Sequence, residues 1–391
     1  MSDTAIGLLA ELVAARSPNP PGDERAVAAV VERAASALGL PDPLRLAPRP
    51  QRPNLIFELG RGRPRILLAA HMDTMPPGDL AAWGSDPWTL HDAGGRLTGL
   101  GVADMKASIA AMLHAGARIA GRRPSRGTLV LAFTADEESG SADGMAWLCR
   151  EGAIDADAAI MTEPSSVGAG PWEALFVGQR GSCVLELVAH GRPGHSGESV
   201  PARDRAGWAL GEALHALHRS KPFAGVAHSA DGTGPTVNVA TMVSGGEVPF
   251  AHPAQLRATV EVRTLPGQTP DGVRSALEQV LAAAGLAERT TLVPASPTSW
   301  IPAGETVADQ PLLDAARAAW REVHGLEPRT AVLPAGTDSS HVDALGIPAL
   351  PAFGPGSLAV AHRPDENLGA SEVSTAIDLF EAVVRRYLEA S

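Results

Sequence analysis

The feature that most restricts the fold is a set of three short runs, residues 66–70, 128–134 and 158–162, made almost wholly of apolar and β-branched side chains. Runs of that length and composition read as strands buried on both faces, the condition of parallel strands in a sheet covered by helices. Neighbouring parallel strands need a crossover of a dozen or more residues, and the Ala-rich stretch 105–120 is long enough to supply one as a helix. The expectation is an α/β domain with a doubly wound, mostly parallel sheet.

The grammar changes at about Arg180. Residues 182–189 alternate as a half-buried strand, and 201–219 follow as a helix with Ala206, Leu210, Leu214 and Leu217 on one face. Strands at 236–243 and 255–265, a helix from 270 to about 284 and a strand at 290–294 complete the order β-α-β-β-α-β, the ferredoxin-like α+β unit. Helical and strand-like runs at 311–324, 349–353 and 371–389 then resume the first pattern. A chain of 391 residues is long for one core. It reads as a catalytic domain of residues 1–179 and 295–391, interrupted by an inserted domain of residues 180–294.

Composition removes several function classes. With 32 basic and 44 acidic residues the formal charge is −12, so the broad positive footprint of a nucleic-acid binder is not expected. No apolar run approaches the roughly 20 residues needed to span a bilayer, and the start Met1-Ser2-Asp3-Thr4 lacks the basic, then apolar, signature of a signal peptide. Cys149 and Cys183 are far apart among apolar neighbours, which favours buried free thiols, a reducing cytoplasm and no thiolate metal site.

In open α/β sheets ligands gather beyond the carboxyl ends of the strands. The residues standing there are His71-Met72-Asp73 after the first run, Asp136-Glu137-Glu138 after the second and Glu163 after the third; His362 follows the strand at 349–353, and Asp104 opens the crossover helix. Imidazoles and carboxylates without thiolates suit Zn²⁺, Mn²⁺ or Co²⁺ in a catalytic site. A shared Asp can bridge two ions roughly 3.5–4 Å apart, which activate a water and polarise a carbonyl oxygen together. Two positions after His71, Asp73 lies on the same side of an extended chain and can accept the proton of the other ring nitrogen. Of the adjacent pair Glu137 and Glu138, one can bind metal while the other is left to take a proton.

The segments His71-Met72-Asp73-Thr74, Gly101-Val102-Ala103-Asp104-Met105-Lys106, Asp136-Glu137-Glu138, Thr162-Glu163-Pro164 and His362-Arg363-Pro364-Asp365-Glu366 resemble, in order, the motifs of the di-zinc peptidase and deacylase family that includes acetylornithine deacetylase, succinyl-diaminopimelate desuccinylase, aminoacylase and glutamate carboxypeptidase. The resemblance implies that Asp104 bridges two metal ions, that His71 and Glu163 complete one site, and that Glu138 and His362 complete the other. Asp73 would orient His71, and Glu137 would be the general base. The inserted domain would be a lid that also forms a homodimer. Its His195 would stabilise the oxyanion, and Asn238, Arg263 and the loop at Gly336-Thr337 would meet the substrate. A guanidinium at Arg263 suits capture of a carboxylate. The family's Gly-Gly after Asp-Met-Lys is Ala107-Ser108 here, and its Gly-Arg-Gly is Gly99-Leu100-Gly101; neither change removes a ligand.

The expected activity is amide hydrolysis of a small N-acyl-L-amino acid or peptide-like substrate, with an aminopeptidase or dipeptidase, or a silent binding subunit, as the competing readings. Trp83 and Trp88 are equally open to lining a pocket or packing. His215 and His218, i and i+3 on the lid helix, and the remaining histidines read as solvated or structural. Glu366 reads as structural at least as readily as catalytic.

Overall fold

The computed structural model of the chain describes residues 2–122, 126–168, 170–228, 232–295, 300–305 and 310–390. It divides into two compact units, one of residues 1–179, 305–333 and 337–391, the other of residues 180–304 and 334–336.

The first unit is organised by a six-stranded sheet in the order Leu44–Leu46, Asn54–Arg61, Gly127–Thr134, Arg65–His71, Ala158–Met161 and Ala349–Leu350. Arg65–His71 runs parallel to both of its neighbours, and Ala158–Met161 runs parallel to Ala349–Leu350. The two strands at the far edge, Leu44–Leu46 and Asn54–Arg61, are antiparallel. Successive side chains of a strand face opposite ways, and each of the inner strands feeds two cores accordingly. Ile66, Leu68, Leu129, Leu131, Phe133, Ala158 and Ile160 join one cluster with the helices Ser2–Ala14, Arg25–Ala37, Ala107–Arg122, Pro311–His324 and Ala370–Ala390. Leu67, Ala69, Val130, Ala132, Ala159 and Met161 join the other with Met145–Arg150 and Ser339–Asp343. This double burial is why the runs are continuously apolar, and it makes the sheet doubly wound as the sequence predicts.

The crossover helix Ala107–Arg122 is buried along most of its length, and its alanines let it lie close to the sheet. At Gly116 a Cβ would already sit 2.9 Å from Leu131 Cδ1. The helix starts two residues later than the Ala-rich pattern suggests. Asp104 and Met105 have φ, ψ of −122°, 87° and −140°, 37°, outside the helical region, and the peptide between them is cis. Helix propensity loses there because backbone N–H groups before residue 105 bond a side chain from elsewhere in the chain, described below.

The second unit has strands Gly181–His190, Thr236–Ser244, Gln255–Thr264 and Thr290–Pro294 and helices Ala206–Arg219 and Pro270–Ala283. The strands pair antiparallel with the second on one edge, then the third, the first and the fourth, the order of a ferredoxin-like sheet. Cys183, Leu185, Leu187 and Ala189 face one side and pack with Ala209, Leu210, Ala213, Leu217, Val273, Leu277 and Leu281 of the helices. The first helix begins at Ala206, after a short turn at Ala202–Asp204, not at Pro201. The second starts on Thr269, whose hydroxyl accepts from Gly272 N with Pro270 in the first turn.

Gly354 shows how tightly the ends of the sheet are built. A Cβ there would lie 1.9 Å from the carbonyl oxygen of Thr162, and Gly354 N donates to Glu163 O at 2.8 Å. Gly354→Ala is therefore expected to destabilise the first unit by about 1–3 kcal/mol, the cost of forcing atoms into a full space. Gly7→Ala, inside the helix Ser2–Ala14 with open space around it, is expected to stabilise by about 0.5–1 kcal/mol. Thermal melting of the two variants should shift in opposite directions.

Candidate metal centre

The parallel strands finish nearly level, with His71 paired to Thr134 and Ala69 to Met161. Residues just past these ends must therefore converge. His71 Nε2 lies 3.1 Å from Asp104 Oδ1 and 3.7 Å from Glu163 Oε1. His362 Nε2 lies 3.2 Å from Asp104 Oδ2 and 3.1 Å from Glu138 Oε2. Asp104 thus turns one oxygen to each imidazole. Donor atoms of His71, Asp104 and Glu138, and separately of His71, Glu137 and Glu163, lie within 4.8 Å of one another. Ligands about 2.0–2.2 Å from one tetrahedral ion are separated by roughly 3.3–3.6 Å, so these spacings suit shared cations.

The electrostatics give the same answer. Burial pushes Glu137 and Glu163 well above the usual carboxylate range with His71 opposing; the charges of Glu163, Asp338 and Glu138 add to the rise at Glu137, and those of Asp104, Glu138 and Asp338 at Glu163. Burial also raises Glu138, against its hydrogen bond with His362. Burial would raise Asp104 as well, but its bonds to His362 and His71 outweigh it and hold the group low. Burial works against a proton on His71, yet the Glu163 charge and the bonds to Asp104 and Asp73 raise it well above the ordinary value. Hydrogen bonds to Asp104 and Glu138 lift His362 to about 11. Four carboxylates share this space with two imidazoles, an excess of negative charge that divalent cations would relieve. The residues fit a pair of such ions.

A buried polar layer holds these groups. His71 Nδ1 is 3.0 Å from the backbone carbonyl of Asp73 and 3.5 Å from its carboxylate. The carbonyl, rather than the side chain expected from the sequence, is the nearer partner for the second ring nitrogen. The Asp73 carboxylate is occupied by the next loop: it accepts from Glu137 N at 3.2 Å, Glu138 N at 3.1 Å and Asn19 Nδ2 at 2.9 Å. Asn19 also donates to Asp136, which has φ 65°, and accepts from Arg52. Arg52 pairs with Glu24 and with Asp136 at 3.0 Å. Burial, followed by the Asp73 charge, lifts Glu24 to about 7 despite Arg52. Nothing in their local pattern marks Asn19, Glu24 and Arg52, and Asp136 is marked only as part of the motif Asp136-Glu137-Glu138; only the folded chain brings residues 19, 24, 52, 73 and 136 together.

Trp83 is buried with its indole N–H on Pro77 O at 2.8 Å, and Trp88 lies under the Arg16 guanidinium, so both are engaged in local packing. His215 and His218 are on the exposed face of their helix. Glu366 is buried, and its oxygens accept from the N–H groups of Gly101, Ala103 and Asp104. Burial, then the charge of Asp104, lifts its carboxyl to about 8 against those three bonds. In the second unit His195 Nδ1 accepts from Gly197 N, while Asn238 and Arg263 both engage Glu261, at 3.2 and 2.8 Å. Gly336 lies in that unit's short return segment, and Thr337, in the first unit, bonds Gln179 through both its N–H and its hydroxyl.

Residues 67–386 match the family described as Peptidase family M20/M25/M40. A succinyl-diaminopimelate desuccinylase of Parvibaculum lavamentivorans is 29% identical over 402 residues, covering 98% of this chain and 95% of the relative. Among solved structures, an M20 family metallo-carboxypeptidase from Sulfolobus solfataricus superposes with a TM-score of 0.78 at 18% identity, over 98% of this chain and 99% of that one. A dinuclear metal-binding M20 peptidase from Bacillus subtilis gives a TM-score of 0.68 at 17% identity, over 100% and 99% of the two chains.

Arg52 pairs with the buried carboxylates of Glu24 and Asp136 and lies 3.7 Å from that of Asp143, so removing it takes the cation from all three. Arg52→Met is expected to lower the stability of the first unit by about 3–5 kcal/mol, the usual result of breaking one side of a buried ion pair. Denaturant unfolding followed by tryptophan fluorescence would show a matching fall in midpoint.

Proposed function

The chain belongs to the M20/M25/M40 peptidase family and is a metallohydrolase, and from that premise we propose that it cuts the amide bond of an N-acyl-L-amino acid or related small substrate. The observation that supports this most is Asp104 with an imidazole on each oxygen. In this reading His71, Asp104 and Glu163 hold one divalent ion and His362, Asp104 and Glu138 hold the other. Zinc fits the donor set best, and cobalt or manganese are accepted alternatives. When bound, the pair supplies Lewis acidity to the scissile carbonyl and to the attacking water.

The chain's own residues do the rest. Glu137 stands beside this ligand set with its backbone N–H fixed on Asp73, and its carboxyl is raised by burial and neighbouring charge. That suits a group that takes the proton of the water as its oxygen bonds to the carbonyl carbon and returns a proton to the nitrogen as the C–N bond breaks. One water is consumed, and a carboxylic acid and an amine leave. Asp73 keeps His71 and the Glu137-Glu138 turn in register. Of the second unit we propose that residues 180–294 act as a lid, with His195 stabilising the oxyanion and Asn238 and Arg263, helped by Gly336 and Thr337, receiving the substrate. The family motifs support those assignments.

The desuccinylase relative supports an acylated amino acid as substrate. We assign the enzyme to the cytoplasm on its two buried, unpaired cysteines; among the described residues no helix is long and apolar enough to cross a membrane. A homodimer through the lid is supported by Met242 and Val243 on its edge strand and by Val248 and Phe250 nearby, all largely exposed. Sedimentation is expected to give twice the chain mass at micromolar concentration, and a monomer with full activity would refute the dimer.

Glu137→Gln should reduce turnover by about 10²–10⁴-fold, the range for a lost general base, with metal content unchanged. Substantial activity in that variant would show the base to be another group. On a panel of N-acetyl, N-succinyl and long-chain acyl amino acids and free dipeptides, one acyl class should be cleaved in a chelator-sensitive way; cleavage of free dipeptides alone would make the enzyme a peptidase instead.

A further inference from the structure

Glu366 has no role in the reaction as described, yet its surroundings are specific. Its side chain is buried, and all its hydrogen bonds go to one loop: Gly101 N reaches Oε2 at 3.0 Å, and Ala103 N and Asp104 N reach Oε1 at 2.8 and 3.0 Å. Its own carbonyl accepts from Gly99 N at 3.0 Å. The loop therefore hangs from this residue by four bonds. It could not hold its shape unaided, because Gly101 has φ 73° and the non-helical backbone at Asp104 and Met105 leaves its N–H groups without the helical acceptor four residues back. A carboxylate is suited to such a cradle, since it has acceptor sites for several donors at once.

Glu366 also stands four residues after His362, on the same segment. The neighbouring Asp365 pins that segment by accepting from Gly84 N at 2.8 Å. From the other side Lys106 is fully buried with Nζ on Ala15 O at 2.8 Å, and burial pulls its ammonium down to about 7 against the charges of Glu366 and Asp73. One side chain thus ties the loop that presents Asp104 to the segment that presents His362.

We propose that Glu366 is a positioning residue for the two metal ions, fixing the carboxylate of Asp104 relative to the imidazole of His362. The inference rests on the two-ion reading above. Groups that orient ligands in this way commonly change metal affinity by about 10–100-fold when altered. Glu366→Gln puts an N–H₂ where a backbone N–H needs an acceptor, and Glu366→Asp withdraws both oxygens by one methylene. Both variants should bind zinc about 10–100-fold more weakly than the wild type, measured by competition with a chromophoric chelator, and kcat should recover when zinc is raised to saturation.

A purely structural role is separated by Leu313→Ala, which empties a place in the same core without touching the loop and should lower the melting temperature while leaving zinc affinity as in the wild type. Should the Gln variant not fold, the Asp variant carries the test. Zinc affinities in the folded variants equal to the wild type, or an equal loss in Leu313→Ala, would overturn the role of Glu366 while the wild type still takes up two ions. A wild type that binds fewer than two ions would overturn the two-ion reading and this inference with it.

Discussion

Asp104 offers one oxygen to His71 and the other to His362, and much of the first unit is arranged so that this can happen. Four carboxylates crowded at the end of a buried sheet repel one another strongly unless positive charge, from an imidazolium or a shared cation, lies among them. A chain that gathers them must fix each one from behind. The parallel strands provide the first constraint: buried on both faces and level at their ends, they bring His71, the Asp136–Glu138 turn and Glu163 to one edge.

The second constraint is polar and more widely distributed. Asp73 holds the backbone of Glu137 and Glu138. Asn19 joins Asp73 to Asp136, and Arg52 balances Asp136 and Glu24. Glu366 does the corresponding work for the loop of Asp104. Buried polar groups are stable only when their hydrogen bonds are satisfied. The backbone that carries Asp104, Glu137 and Glu138 is thus held by carboxylates distant in sequence.

What the sequence reveals follows from which forces are local. The strands at 66–70, 128–134 and 158–162 are legible because burial on two faces leaves an unbroken apolar signature. The ferredoxin-like order after Arg180 is legible because alternation and helical spacing mark each element. The convergence of His71, Asp104, Glu138, Glu163 and His362 could be anticipated because ligands stand where strands end and in a familiar order of motifs. The strands Asn54–Arg61, Leu175–Gln179 and Thr330–Leu333 carry no such signature, since short runs become strands through pairing with distant partners. The departure of Asp104 and Met105 from the helix is illegible locally for the same reason: its cause, Glu366, lies about 260 residues away. Long-range polar contacts such as Asn19 with Asp136 leave no periodicity to read.

The proposed placement of Asp104 between two ions is open to direct observation. Crystals grown with zinc and measured at its absorption edge should show two anomalous peaks roughly 3.5–4 Å apart, one against His71 and Glu163, the other against His362 and Glu138, with Asp104 between them. A single peak, or two peaks that do not share Asp104, would contradict it.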